Sequence, residues 1–322
     1  MGLTVGIDVG GTKIASGVVD ESGAVLARDE VPTPDPLGDD AEAIAAAIAG
    51  LIRSHCDDHE VEAVGIGAAG FVDKERAMVI FAPNIDWRDE PLRNRVKSGV
   101  DLPVVVENDA NAAAWAEFRF GAGKDVDDLT LLTVGTGIGG GIVLDGELYR
   151  GAFGVAAEVG HMRVVPQGVR CGCGNRGCWE QYASGRALVR DARELVAART
   201  PGSEALSEAC GGEAEQVNGK MVTRLAEEGD AACLAIVSEV GRWLGEGLAS
   251  LTAVLDPAVT VVGGGVSAAG DLLLDPMRAA FESELTARGH RPILEIRGAE
   301  MGNDAGIVGA ADLARHHRPS TA

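Results

Sequence analysis

Aromatic side chains are scarce in this chain of 322 residues: two tyrosines, four tryptophans and six phenylalanines amount to 4%. Basic side chains are outnumbered, 28 lysines and arginines against 49 acids, for a net charge of −21. A chain of that sign repels phosphate backbones unless its bases are segregated, and no basic cluster occurs, so no nucleic-acid surface is expected. Long apolar runs are also missing. The longest, Ala43 to Ile52, is alanine-rich and too short to span a bilayer. Asp8 interrupts the apolar start and no hydrophobic leader segment follows, so neither a secretory signal nor a membrane partner is expected. Cysteine is limited to six residues, and three of them fall at 171, 173 and 178. That is metal spacing rather than a disulfide framework, which predicts a reducing, cytoplasmic setting.

Glycine, by contrast, is abundant, with 45 residues, so many tight turns or close backbone-to-ligand approaches are expected. The length suggests two domains. The three clustered thiols, Cys171, Cys173 and Cys178, follow His161 by ten positions or more, and Glu158 and Glu180 flank them. Three thiolates and an imidazole make a closed tetrahedral zinc set of the structural kind. Glu158 and His161, three apart, would face the same way on a helical turn.

Apolar runs at Leu3–Val9, Ile14–Val19 and Val25–Val31 read as three strands, with Gly10-Gly11-Thr12-Lys13 as the first turn. Such a turn lets backbone N–H groups approach a phosphate, although an ordinary hairpin has the same pattern. A helix is expected at Ala41–His55 and a buried strand at Val61–Ile66, entering the glycine turn 67–70. Asn84 to Trp87 reads as an exposed loop. A strand at Leu102–Val106 delivers Glu107, Asn108 and Asp109 to its carboxyl end, where ligands of α/β sheets usually sit. Asp109 could equally cap the helix expected at Asn111–Phe120.

A second glycine hairpin joins strands at Thr130–Val134 and Ile142–Leu144 through a turn at Gly135–Gly141. Gly135, Gly137 and Gly140 match G-x-G-x-x-G, but a strand and a turn follow instead of the required helix, so a dinucleotide fingerprint is rejected. No Walker A sequence occurs. The two hairpins resemble each other, each with a threonine among glycines between apolar strands, which suggests an internal duplication facing one phosphate chain. Further on, a helix is expected at Arg186–Arg199, loop at Thr200–Gly219, and helices at Lys220–Glu228 and Asp230–Leu255. Then come a buried strand at Val259–Val262, a third glycine turn at Gly263–Ser267, a helix at Leu272–Arg288, a strand at Ile293–Ile296 and a final helix.

The DVGGTK turn, END at 107–109, VGTGIGGGIV, AAEVGHM, CGCGNRGCWEQYASG and VGGGVS together resemble the ROK family of sugar kinases and repressors, from Leu3 to about Leu313. The resemblance is closest to the family's ATP-dependent kinases of glucose. It implies the actin-like, ribonuclease-H-like α/β fold, with two α/β domains and an interdomain cleft. The smaller domain would be residues 1–110 with 305–322, carrying the first phosphate hairpin. The larger, 111–304, would carry the second hairpin, the zinc loop and the adenosine loop. Because the first hairpin opens at Leu3, no amino-terminal DNA-binding region of the repressor kind is expected.

The implied reaction is ATP-dependent phosphorylation of the glucose 6-hydroxyl, with Asp109 as general base carrying an ordinary carboxylate's charge. Gly67, Asn84, Asn108, Glu158, His161 and Glu180 would contact the sugar with Asp109. Asp8, Gly10, Gly11, Thr12, Lys13, Gly135, Thr136 and Gly137 would hold phosphates and Mg2+, Asp8 on the metal side, and Gly263, Gly264 and Gly265 would lie under adenosine. Zinc would be structural, on His161, Cys171, Cys173 and Cys178, with the other imidazole nitrogen toward the sugar. Glucose and ATP are thus the implied partners, with a homo-oligomer, dimer or tetramer, as the assembly. The competing readings are a kinase for mannose, fructose or an N-acetylated amino sugar, and a sugar sensor without turnover.

Overall fold

A computed structural model describes residues 2–34, 41–82, 85 and 87–317. Leu3–Val9 (β1) and Lys13–Val19 (β2) pair antiparallel around the first glycine turn, and Val25–Pro32 (β3) pairs antiparallel with β2. Ala41–Asp58 (α1) buries Ile44, Ile48 and Ile52, one helical stripe, against the sheet formed by these strands. Val61–Ala68 (β4) runs parallel to β1. Phe71–Val72 (β5), Val79–Ala82 (β6) and Trp87–Glu90 (β7) then form a small antiparallel sheet. The exposed loop expected here is corrected: Ile85 and Trp87 are 1% and 4% exposed, because their apolar area outweighs the local turn signal.

Leu92–Lys97 (α2) leads to Val104–Asn108 (β8), parallel to β4, and directly to Asp109–Phe120 (α3). Leu129–Val134 (β9), Ile138–Leu144 (β10) and Glu147–Leu148 (β11) follow. Because β10 starts at Ile138, Gly139 to Gly141 are strand residues and not part of the turn expected there. Their lack of side chains serves packing: a Cβ on Gly141 would lie 2.3 Å from the Ala114 Cβ of α3.

The helices Glu180–Ala183 (α4), Gly185–Ala197 (α5), Glu204–Ala209 (α6), Gly219–Glu227 (α7) and Ala231–Leu255 (α8) come next. α6 lies inside the stretch expected as loop, anchored by the fully buried Leu206. α8 ends at Asp256, left-handed at φ 48°, before Pro257. Val259–Gly263 (β12), Asp271–Glu284 (α9), Glu295–Gly298 (β13) and Ala305–His316 (α10) complete the chain. Among the described residues no helix is long and apolar enough to cross a membrane.

The first large sheet has the order β3-β2-β1-β4-β8 and the second β11-β10-β9-β12-β13. In both, an antiparallel pair stands at one edge and a parallel pair at the other, which is the duplication suggested by the two hairpins.

The chain divides into two compact units, Met1–Leu131 with Gly141–Ala157 and Ala299–Ala322, and Leu132–Gly140 with Glu158–Gly298. The first extends past the boundary expected at residue 110, and the reason is packing of α3 on α10. Trp115 Nε1 donates to the buried Asp312 at 2.8 Å, and a Cβ on Gly309 would lie 1.7 Å from the Ala112 carbonyl oxygen. α10 also lies flat on the sheet, since a Cβ on Gly65 would meet the Ala310 carbonyl oxygen at 1.8 Å.

Candidate active site

In the first unit, three parallel strands bring their carboxyl ends into one row. Register pairs Asp8 of β1 with Gly67 of β4, and Gly67 with Glu107 of β8. Asn108 and Asp109 follow at the β8–α3 junction. The question of which residue caps α3 is settled by geometry: Asn108 Oδ1 accepts the Asn111 N–H at 2.9 Å. The Asn108 amide donates to the Gly70 carbonyl and to Asp109 Oδ1, both at 3.0 Å. Asp109 Oδ1 also accepts the Ala110 N–H at 2.9 Å. Its other oxygen makes no hydrogen bond among the described residues.

Burial pushes the Asp109 carboxyl above the usual carboxylate range, only partly offset by the hydrogen bonds from Ala110 and Asn108. The ordinary carboxylate expected here is therefore corrected. Asp8 is pushed up to about 6, by burial first and then by the nearby Asp109, against the pull of Lys13. The first turn is closed by Gly10 N–H donating to the Lys13 carbonyl at 3.0 Å, and Thr33 Oγ1 donates to the Gly10 carbonyl at 2.6 Å. Gly11 and Thr12 are exposed. Lys13 Nζ sits on Glu30 at 2.6 Å, in a solvent-exposed pair. Asn84 lies outside the described residues.

In the second unit, the short 3-10 turn Val159–His161 presents the imidazole, and the His161 N–H donates to the Glu158 carbonyl at 3.0 Å. His161 Nδ1 lies 3.7 Å from Cys171 Sγ, and Cys173 Sγ lies 3.6 Å from Cys178 Sγ. All four ligand atoms fall within 4.8 Å of one another. Thiolates on a tetrahedral zinc stand about 3.8 Å apart, as Zn–S bonds of about 2.3 Å require, so this donor set fits the ion. Because Nδ1 faces the cluster, Nε2 is the nitrogen left for another partner.

Glu180 touches the same cluster. Its Oε1 accepts the Cys171 thiol at 3.0 Å and the Gln181 amide at 3.1 Å. Burial, then that contact with Glu180, pushes the Cys171 thiol up, so a cation is needed to bring it to the thiolate form.

A cavity of about 1110 Å³ opens between α5, α7 and the 3-10 turn Gly265–Ala269. Gly135, Thr136 and Gly265 line it. Gly137, Gly263 and Gly264 are not among its walls. Gly264 is a packing position, where a Cβ would meet Val134 backbone atoms at 2.7 Å.

The residues that sequence reasoning missed are on α5 and α7. Arg186, Arg190, Arg193, Lys220 and Arg224 face this cavity against only Glu194 and Glu227. Ion pairs occupy Arg190, Arg193 and Arg224, while Arg186 and Lys220 form none among the described residues. In a chain of net charge −21, these five bases bring a local concentration of positive charge to the cavity wall. Arg193 Nε is also buried without a partner among the described residues. No motif marks these positions, since their spacing is that of any amphipathic helix.

The ROK family model matches residues 4–317. A glucokinase of Streptomyces coelicolor is 51% identical over 319 residues, 99% of each chain. An N-acetylmannosamine kinase of Yersinia pseudotuberculosis is 34% identical, over 98% of this chain and 99% of its own. The crystal structure of a ROK family glucokinase from Streptomyces griseus, in complex with glucose and AMPPNP, superposes with a TM-score of 0.88 at 52% identity, over 98% of this chain and all of that one. With the duplicated sheets, the zinc-type cluster and a family match over nearly its whole length, the chain belongs to the ROK family.

Proposed function

We propose that this chain is an ATP-dependent glucokinase, transferring the γ-phosphoryl group to the 6-hydroxyl of glucose and releasing glucose 6-phosphate and ADP. The observation that carries the reading is Asp109. Asn108 takes over the capping of α3, which leaves one oxygen of a half-buried, proton-seeking carboxylate without a hydrogen-bond partner among the described residues. Phosphoryl transfer needs a base that orients and deprotonates the attacking hydroxyl, and a carboxylate with raised proton affinity does this better than an ordinary one.

Glu158, His161 through Nε2, Glu180 and Asn108 serve as sugar contacts, with Gly67 leaving room beside Asp109. A Cβ on Gly67 would stand 3.8 Å from the Asp109 Cα. Paired donors and acceptors on these groups suit hydroxyls that both give and accept. His161, Cys171, Cys173 and Cys178 would hold zinc, which would supply a fixed anchor for the imidazole, and Glu180 stands against this set through its contact with the Cys171 thiol. The cavity lined by Gly135, Thr136 and Gly265 takes the nucleotide, and Gly10 to Lys13 offers backbone donors to its phosphates. Asp8 would hold magnesium, which would supply charge neutralisation on the phosphates.

None of the six cysteines is in a disulfide, which supports a reducing, cytoplasmic location. Assembly as a dimer or tetramer belongs to the same reading, and light scattering measures it. The central test is ADP release over a panel of hexoses. The highest kcat/KM is expected for glucose, above mannose, fructose and N-acetylmannosamine. A different preferred sugar would reassign the substrate, and no ADP release with any would reject the kinase.

A further inference from the structure

The residue that precedes Asn108 and Asp109 is a carboxylate with nothing left to offer a substrate. Glu107 is 1% exposed. Its Oε2 pairs with Arg76 Nε at 2.9 Å and with Arg150 Nε at 2.8 Å. Its Oε1 accepts the Asn108 N–H at 2.9 Å and the Asn111 amide at 3.1 Å. A carboxylate has about four lone-pair directions, and donors occupy all of them.

The two arginines are themselves fixed. Arg150 donates to the Lys74 and Asp73 carbonyls at 3.0 and 2.8 Å. The Arg76 carbonyl accepts the Val106 N–H at 2.9 Å, and Arg76 takes the strained left-handed conformation at φ 54°. Glu107 thus ties the β5–β6 turn, the segment after β11 and the first turn of α3 to the point where β8 becomes helix.

We propose that Glu107, clamped by Arg76 and Arg150, is the positioning residue of the phosphoryl transfer. It sets the backbone at Asn108 so that the Asn108 amide can cap α3 and hold Asp109 Oδ1 at once, leaving the other oxygen aimed for the sugar hydroxyl. The inference rests on Asp109 being the base. A buried ion pair serving stability alone would give the same static picture, so the test must separate turnover from binding.

Glu107→Gln keeps the shape but removes the negative charge and replaces one acceptor oxygen by an amide donor, which meets Arg150 in either orientation. The expected result is a folded enzyme whose kcat falls roughly 10- to 100-fold while both KM values stay within about three-fold, since small misplacement of a base costs turnover and not binding. A folded variant with parental kcat, or with its whole loss in KM, overturns the proposal. If this variant fails to fold, Arg76→Gln decides, because it leaves the Arg150 pair intact. A lower kcat at constant KM, partly recovered in Arg76→Lys, supports the clamp; parental kcat in Arg76→Gln overturns it. Asp109→Asn measured beside them keeps the two ideas apart. Turnover surviving there removes the base itself, whereas a dead Asp109→Asn with a normal Glu107→Gln removes only the clamp.

Discussion

Glu180 Oε2 lies so close to Gly137 that a methyl group on that glycine would stand 2.4 Å from it. The other oxygen of the same carboxylate accepts the Cys171 thiol at 3.0 Å. One side chain therefore couples the turn between β9 and β10 to the metal loop. Gly137→Ala must displace Glu180, and the expected outcome is a rise of about ten-fold in the glucose KM, the order of one lost hydrogen bond to a charged group. Gly135→Ala meets nothing within 4 Å and should leave the glucose KM unchanged while raising that for ATP. Steady-state kinetics of the two alanine variants makes the comparison.

Asp109→Asn keeps the volume and the contact with Asn108 but cannot take a proton. Turnover should fall roughly 10²- to 10⁴-fold, the range of a positioned general base, with glucose affinity by calorimetry kept within an order of magnitude.

The Asp8 carboxyl, pushed up to about 6, yields a dependence on pH with a definite sign. The folded state holds this proton more tightly than the unfolded chain, so the contribution to stability is present below the ordinary carboxylate range and is lost as pH rises through about 6. With Asp8 as the proposed magnesium carboxylate, metal binding requires the ionised form and should gain over the same interval. The increase in Tm caused by magnesium and a non-hydrolysable nucleotide should be larger at pH 7.5 than at pH 5 (about 1.5 units above and one below that value), and Asp8→Asn should abolish the difference.

Cys171→Ser removes a soft ligand from a closed set in which Cys171 and Cys178 are both buried. Loss of zinc by metal analysis and a lower Tm are expected together, since metal binding to such a set is folding free energy. The glucose KM should rise with them, because His161 loses its anchor.

Gly65→Ala tests the bed on which α10 lies. Its Cβ would sit 1.8 Å from the Ala310 carbonyl oxygen, backbone that cannot rotate away. Overpacking of this kind costs about 1–3 kcal/mol or more, and denaturant unfolding should show it.

Legibility in the sequence differed by element. The strands β1, β2 and β4 and the helices α1 and α8 were plain, since apolar periodicity over many residues is a local property. The β5–β7 sheet was not, because two-to-four-residue strands carry too few positions for a period to show. Glycine misled between Gly139 and Gly141, where the missing side chains make room for α3 within a strand instead of forming a turn.

The cluster of His161 with three cysteines could be read from the chain alone, because donor chemistry and short spacing do not depend on the rest of the fold. The same holds for the position of Asn108 and Asp109 at the end of an apolar strand. Tertiary structure alone decided what acts on them. It assigned the helix cap to Asn108, faced His161 Nδ1 to the cluster, turned α5 and α7 into cavity walls, and brought Arg76 and Arg150 to Glu107 from 31 and 43 positions away. Contacts at such separations are chosen by how the elements pack, and no periodicity or spacing along the chain encodes them.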